Sequence, residues 1–168
     1  MASYVKSRTT SSILNKKLFS RQTLTGEIAL LVYLACIKFL VHFVTGDNYG
    51  FFRDELYYID TGRHLSSGYV EFPPLIALLA AFVRTLAGNS LLAFHILPAI
   101  AGALLVLLTG LMARELGGGR FAQCLAVLAS LVAITFLGID SLFSMDSFDE
   151  LWWVLMAFIL IRLIKRDD

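Results

Sequence analysis

The sequence predicts an all-α membrane protein with about four transmembrane helices and amphipathic surface helices in its first outer loop. Three observations carry that prediction. Of 168 residues, 58% are hydrophobic and only 16% are charged, against about 45–50% and about 25% in an ordinary soluble domain. A soluble domain this small has too little interior to hide so much apolar surface. The apolar residues also gather in runs long enough for lipid to be their solvent, with charged loops between them. The net charge of +1 gives no global case for nucleic acid, and no nucleic-acid partner is expected. Cys36 and Cys124 each fall inside an apolar run. They are read as two small buried hydrophobes, since their spacing makes neither a disulfide framework nor a metal motif.

Residues 1–24 contain Lys6, Arg8, Lys16, Lys17 and Arg21, and no acid precedes Glu27. With frequent Ser and Thr, this reads as a basic, disordered cytoplasmic tail that sets topology. A signal peptide is the rival reading of residues 1–46. The apolar stretch 28–44 is long for a signal core, however, and no small-x-small cleavage site follows it. An uncleaved first transmembrane helix over 26–45 is therefore expected. Lys38 and His42 lie in its outer half. Lys38 either snorkels outward or faces the bundle interior, and snorkelling is the expectation.

Residues 46–72 break the apolar pattern with Asp47, Arg53, Asp54, Glu55, Asp60, Arg63, His64 and Glu71. Phe52, Leu56 and Ile59 recur at helical spacing, which predicts a short amphipathic helix over about 53–66 lying along the membrane surface. The next apolar stretch, 73–88, is 16 residues long and contains Arg84, whereas a span needs about 20 apolar residues. Longer runs follow at 90–113 and 121–139, joined by a tight basic loop over 114–120. The last span covers 147–164, with Trp152 and Trp153 at its start, where an interfacial aromatic belt is expected. Ala99 and Ala103, four apart, are read as small residues for helix contact.

The doubtful element is 73–88. If it spans, Arg114 and Arg120 fall outside, as do Arg162, Lys165 and Arg166, which violates the positive-inside rule twice. If it lies on the outer surface or re-enters, all three basic clusters are cytoplasmic, and the acidic loops around Asp54, Glu71 and Asp146 face outward together. The expectation is four spans with both ends inside.

Asp54 and Glu55 open a predicted helix, so the simplest reading is a pair that favours the positive end of the helix dipole. Glu71, Asp140, Asp149 and Glu150 read equally as solvated loop charges. Asp146 borders an apolar span, where an ionisable group is a functional candidate. If the acids share one face, a partly shielded carboxylate among them can act as general base. His64 reads as a surface polar group and His95 as a hydrogen-bonded residue at a span entrance, with metal or phosphate ligation as the alternative for both. No strong metal-ligand spacing is present.

The stretch Phe52-Arg53-Asp54-Glu55-Leu56-Tyr57-Tyr58, then Gly62-Arg63-His64-Leu65, then Gly68-Tyr69-Val70-Glu71-Phe72-Pro73-Pro74-Leu75 resembles the first outer loop of bacterial members of the protein O-mannosyltransferase-like family, membrane glycosyltransferases of the GT-C fold. Leu97-Pro98-Ala99, 113–118 and Leu142-Phe143-Ser144-Met145-Asp146 continue the match in the same order. The resemblance covers about 25–168, a transmembrane glycosyltransferase-like module. It implies a polyprenyl-phosphate-linked sugar donor. It also implies transfer with inversion to an acceptor hydroxyl (of lipid, glycan or protein) on the outer face of a bacterial inner membrane, in the service of the cell envelope.

By the same resemblance Asp54 is the general base, with Glu55 and Asp146 beside it as catalytic candidates. Arg53, Tyr57, Tyr58, His64 and Glu71 are the substrate-binding candidates. A divalent metal is compatible with the family, with Glu71 as its one candidate ligand, and no cofactor is otherwise called for. Two departures stand out. Relatives often carry Lys or His before the two prolines, where this chain has Phe72. Family enzymes also typically have many more spans, so the chain is expected to be an N-terminal fragment, a truncated product or a degenerate copy. The competing function is a non-catalytic membrane scaffold or accessory subunit. A small transporter is disfavoured, because the acids cluster at span ends and in loops rather than along a path through the spans.

Overall fold

A computed structural model describes residues 26–167, and the basic tail read at 1–24 lies outside them. The described chain is helical and contains no strand. Its elements are α1 (Gly26–Thr45), α2 (Arg53–Thr61), α3 (Leu75–Ala87), α4 (Leu91–Glu115), α5 (Arg120–Val132), α6 (Ile134–Ile139) and α7 (Met145–Asp167).

Two helices, α1 and α4, are long and apolar enough to cross a membrane. At 1.5 Å per residue, α3 reaches only about 20 Å, well short of a bilayer core of about 30 Å. It lies against α2, with Ile76, Ala77, Ala80 and Val83 buried. The run 121–139, expected as one continuous span, is broken. Ala133 adopts an extended conformation (φ −63°, ψ 118°) between α5 and α6, and α5 alone is as short as α3. Helix α7 has the length to span, but it carries Asp146, Asp149 and Glu150 in its first two turns and Arg162, Lys165 and Arg166 in its last. The surface helix is also shorter than 53–66, because α2 ends at Thr61 before Gly62.

Helix α4 is the centre of the bundle and packs against α5 and α7. One apolar cluster joins α1, α4 and α5 through Leu31, Ala35, Val106 and Val127. A second lies under the loops at the other end and joins α2, α3, α4 and the α6–α7 connection through Ile59, Ile76, Phe94 and Phe143. Ala99 is buried as a contact residue, but the closest helix approaches fall on glycines. A Cβ on Gly102 would lie 2.4 Å from the Asp140 carboxylate, and one on Gly62 would lie 2.8 Å from the Ala80 Cβ. The cysteines depart from the buried reading, since Cys36 is exposed on the outside of α1 and Cys124 is half-buried.

Lys38 does not snorkel. It is fully buried and pairs with Asp140, with Nζ 2.9 Å from Oδ2, and it donates to the Phe136 carbonyl at 3.2 Å. A long apolar stem can carry an ammonium to water only if no buried partner competes for it. Here the chain turn after α6 brings a carboxylate into the bundle, and the absence of a side chain at Gly102 makes the space. Asp140, read as a loop charge, is buried as well.

Candidate active site

Asp54 and Glu55 stand in the first turn of α2, where backbone N–H groups lack helical partners and the dipole favours carboxylates. Successive helical positions are about 100° apart, so the two neighbours face different surroundings. Glu55 points inward and is 1% exposed. Its Oε2 accepts from the Phe52 N–H at 2.7 Å, which caps the helix, and its Oε1 accepts from the Phe143 N–H at 2.6 Å. The same Oε1 lies 2.7 Å from His95 Nε2, while His95 Nδ1 lies 2.6 Å from the Gly46 carbonyl oxygen. A carbonyl oxygen only accepts, and so does a carboxylate already receiving two N–H groups, so both ring nitrogens of His95 act as donors. His95 is thus the hydrogen-bonded residue at the start of α4 that its sequence position predicts. Burial alone would raise the Glu55 pKa. The hydrogen bonds from His95, Phe143 and Phe52 outweigh it and hold the carboxyl below the ordinary glutamate range.

Asp54 faces the other way, with its side chain 52% exposed and its Oδ1 3.0 Å from Nε of the exposed Arg53. It lines a cleft of about 450 Å³. Asp146, on the first turn of α7, lines the same cleft, as do Tyr58, Ser144 and Thr135. Glu55 also borders it, but both of its carboxylate oxygens are already engaged. Tyr58 registers the concentration of negative charge. Its phenol pKa is raised by burial first, then by Asp146, Asp54, Glu71 and Tyr57. Two carboxylates more than ninety residues apart in sequence therefore meet across one opening.

The remaining candidates are distributed less tightly. Tyr57 is exposed on α2 and rings the buried Phe72 together with Tyr58 and Tyr69, at centroid distances of 5.6, 5.2 and 4.9 Å. This accounts for Phe72 before the two prolines, since the side chain there is core, 5% exposed, and a cation would be desolvated. Glu71 is exposed beside it. His64 is exposed, and its hydrogen bonds are backbone ones: its N–H donates to the Thr61 carbonyl at 3.0 Å and its carbonyl accepts from the Tyr69 hydroxyl at 2.9 Å. None of Arg53, Tyr57, His64 and Glu71 lines the cleft. Among the described residues, no three His, Cys, Asp or Glu side chains converge as a metal site. Sequence reasoning missed how far His95 and Phe143 hold the acidic helix in place. A histidine at a span entrance was the available signal for the first; a backbone N–H leaves none for the second.

Two apolar helices of membrane length, no strand among the described residues and an acidic cleft at the loop end of the bundle are the features of a helical membrane protein with a carboxylate-lined site. Residues 71–168 match the family described as dolichyl-phosphate-mannose-protein mannosyltransferase. The match covers more than half of the chain, and the chain belongs to that family, a mannosyltransferase-like group of membrane glycosyltransferases. It takes in Asp146 and the α6–α7 half of the cleft but begins after Asp54 and Glu55. No curated protein and no solved structure matches the chain.

Proposed function

We propose that the chain is a glycosyltransferase module that moves a sugar from a polyprenyl-phosphate donor to an acceptor hydroxyl at the outer face of the membrane. The observation that carries this reading is the meeting of Asp54 and Asp146 in one cleft, in a chain whose family uses a lipid-phosphate sugar. Asp54 is the base: it is accessible from the cleft and free of the clamp that occupies Glu55. The acceptor oxygen attacks the anomeric carbon from the side opposite the phosphate, and the acceptor proton passes to the Asp54 carboxylate. The bond from the anomeric carbon to the phosphate oxygen breaks, and the electron pair leaves with the phosphate, so configuration inverts. A phosphate departs as an anion and needs little acid help, so base catalysis and charge stabilisation do most of the work. Asp146, across the cleft, orients the acceptor hydroxyl. The reading takes the orientation that the basic clusters favour, with this cleft outward and the basic ends of α4 and α7 inward.

The test is sugar transfer in membranes containing the chain, with a mixed pool of polyprenyl-phosphate sugars, beside the Asp54→Asn variant. The variant is expected to lose about 100-fold or more in rate, the scale of a positioned general base. Equal transfer by both proteins removes Asp54 from the chemistry. No transfer by either folded, inserted protein favours the scaffold reading.

A further inference from the structure

A second cavity adjoins the acidic cleft. It measures about 540 Å³ and is formed by the outer end of α1, the first loop, the start of α4 and the α6–α7 turn. Phe52, Ser141 and Leu142 line both cavities, so the two are neighbours across a shared wall. Their chemistry differs. The cleft carries Asp54, Glu55 and Asp146, whereas no carboxylate lines the second cavity. The two cations beside it are already answered: Lys38, one helical turn from His42, by Asp140, and His95 by Glu55. What remains is aromatic surface from Tyr49, Phe51 and Phe52, together with neutral hydrogen-bonding groups on Thr45 and Ser141.

In this lining one buried side-chain polar atom is left over. His42 is 5% exposed, and its Nε2 makes no hydrogen bond. An unpaired buried imidazole nitrogen carries an uncompensated desolvation cost, and this one belongs to a residue that lines an open cavity. Thr45 and Ser141 donate their hydroxyl protons to the Val41 and Gly138 carbonyls, which leaves their oxygens able to accept. A ligand for this site therefore offers an apolar ring face to the aromatics and hydroxyl groups to the imidazole and the two oxygens, and it carries no charge that needs an ion partner. A pyranose ring meets each requirement. The volume lies within the range of about 300–1,000 Å³ typical of small-ligand sites.

We propose that this cavity is a saccharide subsite that holds a sugar ring of the acceptor, with His42 Nε2 as its buried hydrogen-bonding group and Tyr49 as its exposed stacking platform. The proposal rests on the transferase reading and narrows it: the acceptor hydroxyl belongs to a glycan or glycolipid rather than to a peptide side chain. A ring seated beside the shared Phe52–Leu142 wall directs a neighbouring hydroxyl toward Asp54.

The test uses the full chain in lipid nanodiscs with a panel of methyl hexopyranosides, read by saturation-transfer difference NMR. Saturation transfer to ring protons is expected for at least one sugar. It should fall about fivefold or more in Tyr49→Ala and in His42→Ala, the scale of one lost contact, and return in His42→Gln, which keeps a polar group there. Tyr49 is 83% exposed in a loop, so its variant keeps the fold. Asp54→Asn should leave binding intact and abolish transfer, which separates failure of this subsite from failure of the transferase reading. A disaccharide product from the bound methyl glycoside and a lipid-phosphate sugar makes the ring the acceptor's. No saturation transfer, equal signal in Tyr49→Ala, or binding displaced by donor without any disaccharide product overturns the proposal.

Discussion

Glu55→Gln isolates what holds the acidic helix in place. The native carboxylate receives three N–H groups, from Phe52, Phe143 and His95, at 2.6–2.7 Å. A carboxamide offers one oxygen and one NH₂, and all three partners are donors. Whichever way the amide turns, its NH₂ meets at least one N–H, and the His95 donor loses its charged acceptor. Breaking a buried, hydrogen-bonded ion pair from one side costs about 3–5 kcal/mol. At about 2–4 °C per kcal/mol for a chain of this size, the melting temperature should fall by about 6–20 °C. Hydrogen exchange should rise at the Phe52 and Phe143 amides, which the carboxylate holds, before it rises in the middle of α4. The pH dependence has a defined sign. Glu55 titrates below the ordinary glutamate range, so its contribution is complete above the unfolded pKa of about 4.3 and is lost as pH falls through the lowered folded value. Glu55→Gln should therefore remove stability at neutral pH and flatten the acid limb. The assay is thermal unfolding in nanodiscs over pH 3–8, beside Asp54→Asn, whose half-exposed carboxylate should cost under about 1 kcal/mol. A Glu55→Gln protein within 1 °C of the parent, with an unchanged acid limb, would refute the clamp.

Lys38→Met leaves the fully buried Asp140 without its partner and should cost about 3–5 kcal/mol, while Lys38→Met with Asp140→Leu should recover most of it; thermal unfolding of the double-mutant cycle gives the coupling. Gly102→Ala places a methyl 2.4 Å from the Asp140 carboxylate and should destabilise by about 1–3 kcal/mol, whereas Gly138→Ala, with open space at its Cβ, should not; the difference in melting temperature decides it. The Tyr58 phenol should ionise above the ordinary tyrosine range in an ultraviolet alkaline titration, and its pKa should fall in Asp146→Asn, because burial and then that carboxylate are the leading causes of its elevation.

Helices that bury a whole apolar run were legible because their signal is local. The apolar stretch 26–45 and the run at 90–113 correspond to α1 and α4 within a few residues, and the shortfall of 73–88 gave α3 its place beside α2. The break at Ala133 was not legible, since alanine is a good helix former and no Pro or Gly marks the spot. The Lys38–Asp140 pair joins residues 102 apart, and a lysine in an apolar helix reads the same whether its partner is buried or aqueous. The acidic dipeptide was found by its position at a helix start, yet its division of labour was hidden. That division depends on Phe143 and His95, which arrive from other parts of the chain.

The same adjacency explains why a site of this kind is built on a helix N-terminus rather than on a loop. Two neighbouring carboxylates in a flexible loop would share solvent and compete for the same partners. In the first helical turn they are forced about 100° apart, so one can be fully desolvated and satisfied while the next stays open to the cleft. Glu55 then fixes α2 to α4 through His95 and to the α6–α7 turn through Phe143. That turn leads directly into Met145 and Asp146 at the start of α7. The clamp therefore sets the position of both open carboxylates at once: Asp54 because it is the next residue on the same turn, and Asp146 because it lies three residues beyond the clamped amide. A displacement at Glu55 is therefore expected to move both walls of the cleft. On the transferase reading proposed above, positional error of that kind is costly for the alignment of an attacking oxygen, so Glu55→Gln is expected to slow transfer although Glu55 itself touches no substrate.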